Sequence, residues 1–200
     1  MPESVNLSPH APWWSFDPGT GRTSVEATWA NPNAEVVGWL CRYGDAAGVD
    51  RSLRDEGTAL ALRHLAEREA PLDLHDFLCY ARLADALPGP VREAVLGRLT
   101  ADVGRVVERD PDMWRTYGAR PLTLAPTPSS PFASALAEAI AANLDFALES
   151  QAADGGWPPT WSWADADPVA WAEAEREWSG ALTVATLASL KAFGRIAGDR

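Results

Sequence analysis

The chain has few of the residues that define several common classes of protein. Among its 200 residues only two are cysteine, Cys41 and Cys79, which is too few for a disulfide scaffold and suits a reducing compartment. No apolar run reaches the roughly 18 residues of a spanning helix, and residues 1–4 lack the basic and apolar stretches of a signal peptide. These absences predict a cytoplasmic protein.

Positive charge is also scarce. Lys191 is the sole lysine, and 17 basic residues face 28 acidic ones, so the formal net charge is -11. Nucleic acids and anionic membranes both need a positive protein surface, so neither is predicted as a partner. Tryptophan, by contrast, is abundant: there are ten, many of them in segments rich in proline and glycine.

Apolar residues at helical spacing predict an all-α fold. Helices are expected after Asn31-Pro32, over about 50–68, after Asp73 and from Pro90. The first and third are mostly apolar, which predicts burial on all sides, whereas the second and fourth have a polar face. This alternation, at a spacing of about 40 residues, is typical of stacked helical hairpins. No strand is predicted.

The remainder of the chain continues the pattern after a proline-rich segment between residues 110 and 131. A helix starting at Ser130-Pro131 carries an apolar stripe, a short helix is predicted over about 168–178, and a buried helix over 182–193. The members of the stripe are Phe132, Leu136, Ile140, Leu144 and Leu148.

The segment Gln151–Trp157 connects two of these helices. Gly155 and Gly156 supply backbone freedom at the turn, and Trp157 supplies a large flat surface to cover the next helix end. Gln151 is placed to hydrogen-bond backbone groups left free at the helix terminus. We therefore predict that Gln151, Gly155, Gly156 and Trp157 act together as a structural fastener.

A longer pattern contains this segment: Leu144-x-x-x-Leu148-x-x-Gln151-x-x-Asp154-Gly155-Gly156-Trp157, then Trp178-x-Gly180 and an apolar helix ending at Phe193-Gly194-Arg195. It resembles the Gln–Trp repeat of the squalene cyclase and protein prenyltransferase superfamily. The resemblance implies an α-α toroid, in which helical hairpins surround an aromatic-lined cavity, over residues 31–196. Residues 1–30 would be an irregular Trp-rich segment and 197–200 a tail.

The resemblance implies a protein acting on, or binding, a hydrophobic isoprenoid-type molecule. The helices supply at most four of about six hairpins, so the ring is incomplete, is closed by a second copy, or belongs to an N-terminally shortened member. The Asp-x-Asp-Asp acid of the cyclases and a complete zinc site are not present. A non-catalytic toroid that binds a ligand or protein, and a glycan-processing enzyme on a related toroid, stay open as alternatives.

Three aspartates near the fastener are candidate catalytic acids: Asp154, Asp165 and Asp167. A carboxylic acid enclosed by tryptophan has a raised pKa and can protonate an alkene or a glycosidic oxygen. The alternative is structural, because Asp154 precedes two glycines and Asp167 precedes Pro168 in the N-cap position.

Aromatic and arginine side chains in the loops are the candidate substrate-binding residues. Tryptophans can line a pocket or stack on a sugar, and arginine can clamp a diphosphate or carboxylate. Capping of helix ends by the tryptophans, and ion pairing of the arginines with the acidic surface, are the structural alternatives. The candidates are Trp13, Trp14, Trp161, Trp163, Arg115, Tyr117 and Arg120.

One cluster, His75, Asp76 and Cys79 with His10 as a possible fourth member, has the residue types of a zinc site. No second pair of ligands accompanies it. We expect His75 near solvent, Cys79 in the core and Asp76 in the first turn of a helix, and we predict neither a metal nor another cofactor. The predicted partners are a hydrophobic small molecule or glycan and possibly a second copy of the chain.

Overall fold

The computed structural model describes residues 2–8, 10, 12–27 and 29–197. These residues form seven α-helices, which confirms the all-α class. The helices are α1 (Ala30–Tyr43), α2 (Arg51–Glu67), α3 (Leu74–Ala86), α4 (Gly89–Val106), α5 (Pro121–Leu124), α6 (Ala137–Glu149) and α7 (Pro168–Ala192). Of the predicted tail 197–200, residues 198–200 lie outside the described part.

A small hairpin corrects the expectation of no strand. Strand β1 (Phe16–Asp17) pairs antiparallel with β2 (Arg22–Thr23), with Phe16 opposite Thr23. The turn between them is the one that Asp-Pro-Gly predicts, since the Asp17 carboxylate accepts the amide of Gly19 at 2.8 Å. Two residues per strand are too few to show an alternating pattern, so the sequence gives no signal for them.

The chain divides into two compact units, residues 1–102 and 103–200, with the boundary inside α4. In the first unit α1 packs against both α3 and α2. A side chain at Gly38 would place its Cβ 3.1 Å from Leu83 Cα and 3.3 Å from the Arg82 carbonyl oxygen. The absence of that side chain therefore permits the close approach of α1 and α3.

The prediction that α1 is buried on all sides is wrong. Val36, Trp39 and Tyr43 are each about half exposed, while Ala34 and Val37 are buried. Contacts with α2 and α3 cover only part of the helix surface. An apolar sequence shows what a helix can bury, but the number of neighbours decides what it does bury.

The connection between α2 and α3 contains a buried ion pair. Asp76 is fully buried, and its Oδ2 lies 2.7 Å from Nη1 of Arg68. Arg68 also donates to the carbonyl oxygens of Ala70 and Pro71, both at 3.2 Å. Asp73 caps α3 by accepting the amide of Asp76 at 2.8 Å. The Arg68 guanidinium therefore links the connection to the first turn of α3.

In the second unit the loop after α6 is fixed by Trp157, which is buried. Its indole Nε1 donates to the Ala147 carbonyl oxygen at 2.7 Å, and its backbone amide donates to Thr183 Oγ1 on α7 at 3.0 Å. Gly155 has φ +86°, a conformation that favours glycine, and its carbonyl accepts Nε2 of Gln151 at 2.8 Å. These bonds tie the loop to both helices.

Helix α7 differs from the two segments predicted for this region. It runs unbroken for 25 residues through Gly180, and it starts after Asp167 as the N-cap rule predicts. Its second half was expected to be buried, but Val184 and Leu187 are exposed. A single glycine costs a helix only about 1 kcal/mol, which is too little to end it.

The start of α6 also differs. The helix begins at Ala137, and residues 131–136 form turns that still bury Phe132 and Leu136. Leu148, counted in the apolar stripe, is 41% exposed, whereas Phe146 is buried. Four of the five predicted stripe members are therefore buried, and only near the end of α6 does Phe146 take the buried position predicted for Leu148.

Candidate functional site

The segment that follows α4 carries three of the predicted binding residues, and its conformation is fixed by buried contacts. A short 3-10 helix over Pro111–Arg115 is capped by Asp110, which accepts the amide of Asp112 at 3.0 Å. Trp114 on this helix is almost fully buried, and its indole donates to the Glu108 carbonyl oxygen at 2.9 Å. The anchored tryptophan leaves Arg115 at the exposed end of the helix.

Two guanidinium groups lie over one aromatic ring of α6. The Cζ atoms of Arg115 and Arg120 are 5.3 and 5.7 Å from the ring centroid of Phe146, within the range of cation–π attraction. Trp114 meets the same ring edge-on at 5.4 Å. Two of the predicted arginines therefore contact the same ring on the second unit.

Arg120 is half-buried and is held by neutral partners. Its Nη2 donates to Thr160 Oγ1 at 3.0 Å, and Thr160 in turn donates to the Thr116 carbonyl oxygen at 3.0 Å. Burial lowers the pKa of Arg120. Within the part of the chain that the structure describes, neither Arg120 nor Arg115 forms an ion pair with a carboxylate. The ion pairing considered as their structural role is therefore not observed there.

An edge of aromatic rings adjoins these arginines. Tyr117 meets Trp161 edge-on at 5.6 Å, and Trp161 meets Trp178 of α7 in the same way at 5.6 Å. Tyr117 and Trp178 are about half exposed. Arg120 bonds to Thr160, and Thr160 bonds to Thr116. Because these threonines directly precede Trp161 and Tyr117 in sequence, the two bonds connect Arg120 to the aromatic edge.

We name this set the arginine–aromatic cluster. Its members are Arg115, Tyr117, Arg120, Phe146, Thr160, Trp161 and Trp178. It brings together four residues that the sequence predicts as binding residues: Arg115, Tyr117, Arg120 and Trp161. It combines half-exposed rings, which can cover an apolar body, with positive charge that can meet an acid group.

The other predicted tryptophans lie elsewhere. Trp163 packs edge-on against the buried Trp171 at 4.9 Å, which gives it a structural contact at the start of α7. Trp13 and Trp14 belong to the first unit, where the Trp13 carbonyl accepts the hydroxyl of Ser24 at 2.9 Å. Trp13 is half exposed and Trp14 half-buried.

The three candidate acids are all exposed to solvent. Asp154 Oδ1 accepts the amide of Gly156 at 3.0 Å, which closes the turn of the fastener. Asp167 Oδ1 accepts the amides of Val169 and Ala170 at 3.1 and 3.0 Å, the bonds of a helix N-cap. Asp154 and Asp167 therefore have the turn and cap bonds of their structural interpretation.

The residues with metal-ligand types are dispersed. His75 is exposed, Asp76 is paired with Arg68, and Cys79 is buried, where burial raises the pKa of its thiol to about 11. His10 bonds to Ser8 and Ser15 instead. Over the described ranges, no three His, Cys, Asp or Glu side chains gather as a metal ion requires.

Sequence reasoning missed Phe146 and Thr160, and it used Trp178 only as part of the repeat pattern. Phe146 does not belong to the apolar stripe that predicts α6. Its role becomes visible only from its contacts with Trp114, Arg115 and Arg120 in the structure. Thr160 stands between prolines and tryptophans, and a lone threonine in such a segment carries no signal. The proximity of these residues depends on tertiary packing.

A comparison of the chain with protein-family models, curated proteins and solved structures finds no match. The resemblance to the squalene cyclase and protein prenyltransferase superfamily therefore depends on the residues of the repeat pattern alone. Among the described helices, none combines the length and the apolar character needed to cross a membrane.

Proposed function

We propose that this protein binds a small amphipathic anion at the arginine–aromatic cluster. The apolar body, isoprenoid-like in the simplest case, lies on Tyr117, Trp161 and Trp178, and the acid group meets Arg120 with Arg115 beside it. The wider proposal is that the helices belong to a toroid of the squalene cyclase and prenyltransferase type. The loop bonds of Trp157 and the packing of α1 against α2 and α3 support it.

The observation that carries this proposal is that Arg120 is half-buried and is held by neutral partners. Burying a charge costs free energy unless a partner compensates for it, and here the partners are a neutral hydroxyl and a phenyl ring. The cation–π contact contributes about 0.5–2 kcal/mol. A phosphate or carboxylate would add a charge-assisted hydrogen bond of about 1.5–3 kcal/mol. An anionic ligand therefore supplies the negatively charged partner that Arg120 does not have in the folded chain.

Binding without turnover is the version that the geometry favours. Each of the candidate acids is exposed, and Asp154 and Asp167 are engaged with backbone amides in a turn and a cap. A general acid has to lie within hydrogen-bond reach of the atom it protonates. The aromatic edge and the arginines, by contrast, are already positioned beside each other for recognition.

Calorimetric titration with farnesyl monophosphate tests the proposal, with farnesol as the uncharged comparison. The Arg120→Gln variant keeps a hydrogen-bonding side chain and removes the charge, so we expect its affinity to fall about 10- to 100-fold. Arg176→Gln removes an equal charge from an exposed position on α7 and is expected to change affinity less than about twofold. Farnesol is expected to bind at least about tenfold more weakly than the phosphate.

Two results would overturn the proposed binding. One is equal affinity of the wild-type protein and Arg120→Gln for farnesyl monophosphate, and the other is no binding by either protein. Conversion of the ligand, detected by chromatography after incubation, would contradict binding without turnover.

A further inference from the structure

A groove on the first unit lies between α1 and α3 and contains about 200 Å³. Its walls include Glu35, Trp39 and Arg42 from α1, and Arg82 and Asp85 from α3. Pockets that enclose drug-sized ligands hold about 300–1,000 Å³. The groove is therefore large enough for one small ring rather than for an extended molecule.

One wall of the groove is aromatic. Trp39 is 48% exposed and stacks on Tyr43, one helical turn away, with ring centroids 5.5 Å apart and planes inclined by 16°. The indole Nε1 of Trp39 donates to Glu35 Oε1 at 3.3 Å, which restrains the ring. Trp39 thus contributes a restrained, half-exposed indole to the lining of the groove.

The polar groups around this wall balance in charge. Arg82 Nη1 lies 2.6 Å from Glu35 Oε2, and Arg42 Nη2 donates to the Asp85 carbonyl oxygen at 3.4 Å. Two guanidinium groups and two carboxylates therefore surround a single ring-sized space. This lining favours neither sign of net charge, and a neutral ligand with many hydroxyls can donate to the carboxylates and accept from the arginines.

We propose that this groove is a binding site for a neutral sugar ring. The apolar face of the sugar lies on the indole of Trp39, and its hydroxyls bond to the Glu35–Arg82 pair and to Asp85. Aromatic rings with a polar rim suit a ligand that has one apolar face and polar edges. The site belongs to the first unit and does not depend on the function proposed for the arginine–aromatic cluster.

The experiment is a calorimetric titration with four neutral monosaccharides: glucose, galactose, mannose and N-acetylglucosamine. We expect at least one to bind with a Kd below about 5 mM, and Trp39→Ala to weaken that binding at least about tenfold. Leu53→Ala removes an exposed apolar side chain of the same unit that does not line the groove, and it is expected to leave the affinity unchanged. Ala86→Trp keeps the indole of Trp39 but fills the groove, and it is expected to abolish binding.

Circular dichroism of each variant establishes that the helices are intact, so a loss of binding reports on the groove. The proposal is overturned if none of the four sugars binds at about 20 mM, or if Trp39→Ala or Ala86→Trp binds as the wild type does. It is also overturned if glucose 6-phosphate or glucosamine binds more tightly than glucose, since the groove would then select charge.

Discussion

Replacing Trp157 with phenylalanine tests how the second unit is held together. The change removes the indole N–H that donates to the Ala147 carbonyl oxygen at 2.7 Å, and it leaves that oxygen with the longer bond from Ser150 Oγ, at 3.4 Å. Loss of a buried hydrogen bond costs about 1–2 kcal/mol when a weaker donor stays in place. The smaller ring also buries one or two fewer carbon groups, which costs about 1 kcal/mol. We therefore expect the free energy of unfolding to fall by about 2–3 kcal/mol.

Urea unfolding followed by circular dichroism measures this loss without depending on tryptophan fluorescence. The matched control is Trp178→Phe, since Trp178 is 47% exposed, and this change is expected to cost less than about 1 kcal/mol. Trp157→Ala, which also removes the ring, is expected to cost about 3–5 kcal/mol. If Trp157→Phe were no more destabilising than Trp178→Phe, the loop would not depend on the indole, and the reasoning would be wrong.

The second bond of the fastener is tested separately. Thr183→Val preserves side-chain shape but removes the acceptor of the Trp157 amide, so a loss of about 1–2 kcal/mol is expected. Thr186→Val, a half-buried position on the same helix, is the control and is expected to be nearly neutral. Equal effects of the two changes would show that the link from the loop to α7 contributes nothing.

Three further predictions concern the first unit. Arg68→Met removes the guanidinium from the fully buried Asp76 and is expected to lower the free energy of unfolding in urea by about 3–5 kcal/mol; a loss below about 1 kcal/mol would contradict it. Gly38→Ala is expected to destabilise, whereas Gly97→Ala, which meets open space, is expected to stabilise by about 0.5–1 kcal/mol; effects of the same sign would refute the close helix contact. Burial, and to a smaller extent the charge of Asp76, raises the pKa of Tyr80 to about 12. The protonated phenol therefore contributes stability that is fully present below about pH 10 and is lost as pH rises towards 12. In thermal melts, Tyr80→Phe is expected to show a smaller loss of stability over this pH range.

The starts of α1, α2, α3, α4 and α7 could be predicted because their signals are local. Asp73 and Asp167 accept amides at the starts of α3 and α7, as capping rules predict for those residue types. Asn31 has non-helical φ and ψ of -95° and 113°, so the regular turns of α1 begin after it, at Pro32. The two strands have no such signal, because two residues are too few to show an alternating pattern.

Burial could not be predicted to the same degree. Val36 and Val184 stand in apolar sequences that predict enclosed helices, yet both are exposed. Asp76 would be expected at the surface by residue type, yet it is fully buried because Arg68 reaches it from the preceding connection. These outcomes depend on which elements meet, and a pattern within one helix contains no information about its neighbours.

The arginine–aromatic cluster shows the same limit at the level of a site. Arg115, Tyr117 and Arg120 could be identified as candidates because charged and aromatic residues in an irregular segment suit recognition. Their distinction from surface ion-pairing residues depends on Phe146 and Thr160, which lie 26 to 45 residues away in sequence and take the places of carboxylates. If a carboxylate were placed beside Arg120 by Thr160→Asp, the guanidinium would gain an internal partner, and farnesyl monophosphate should then bind more weakly, as with Arg120→Gln. Unchanged binding to Thr160→Asp would mean that the charge of Arg120 is not what the ligand meets.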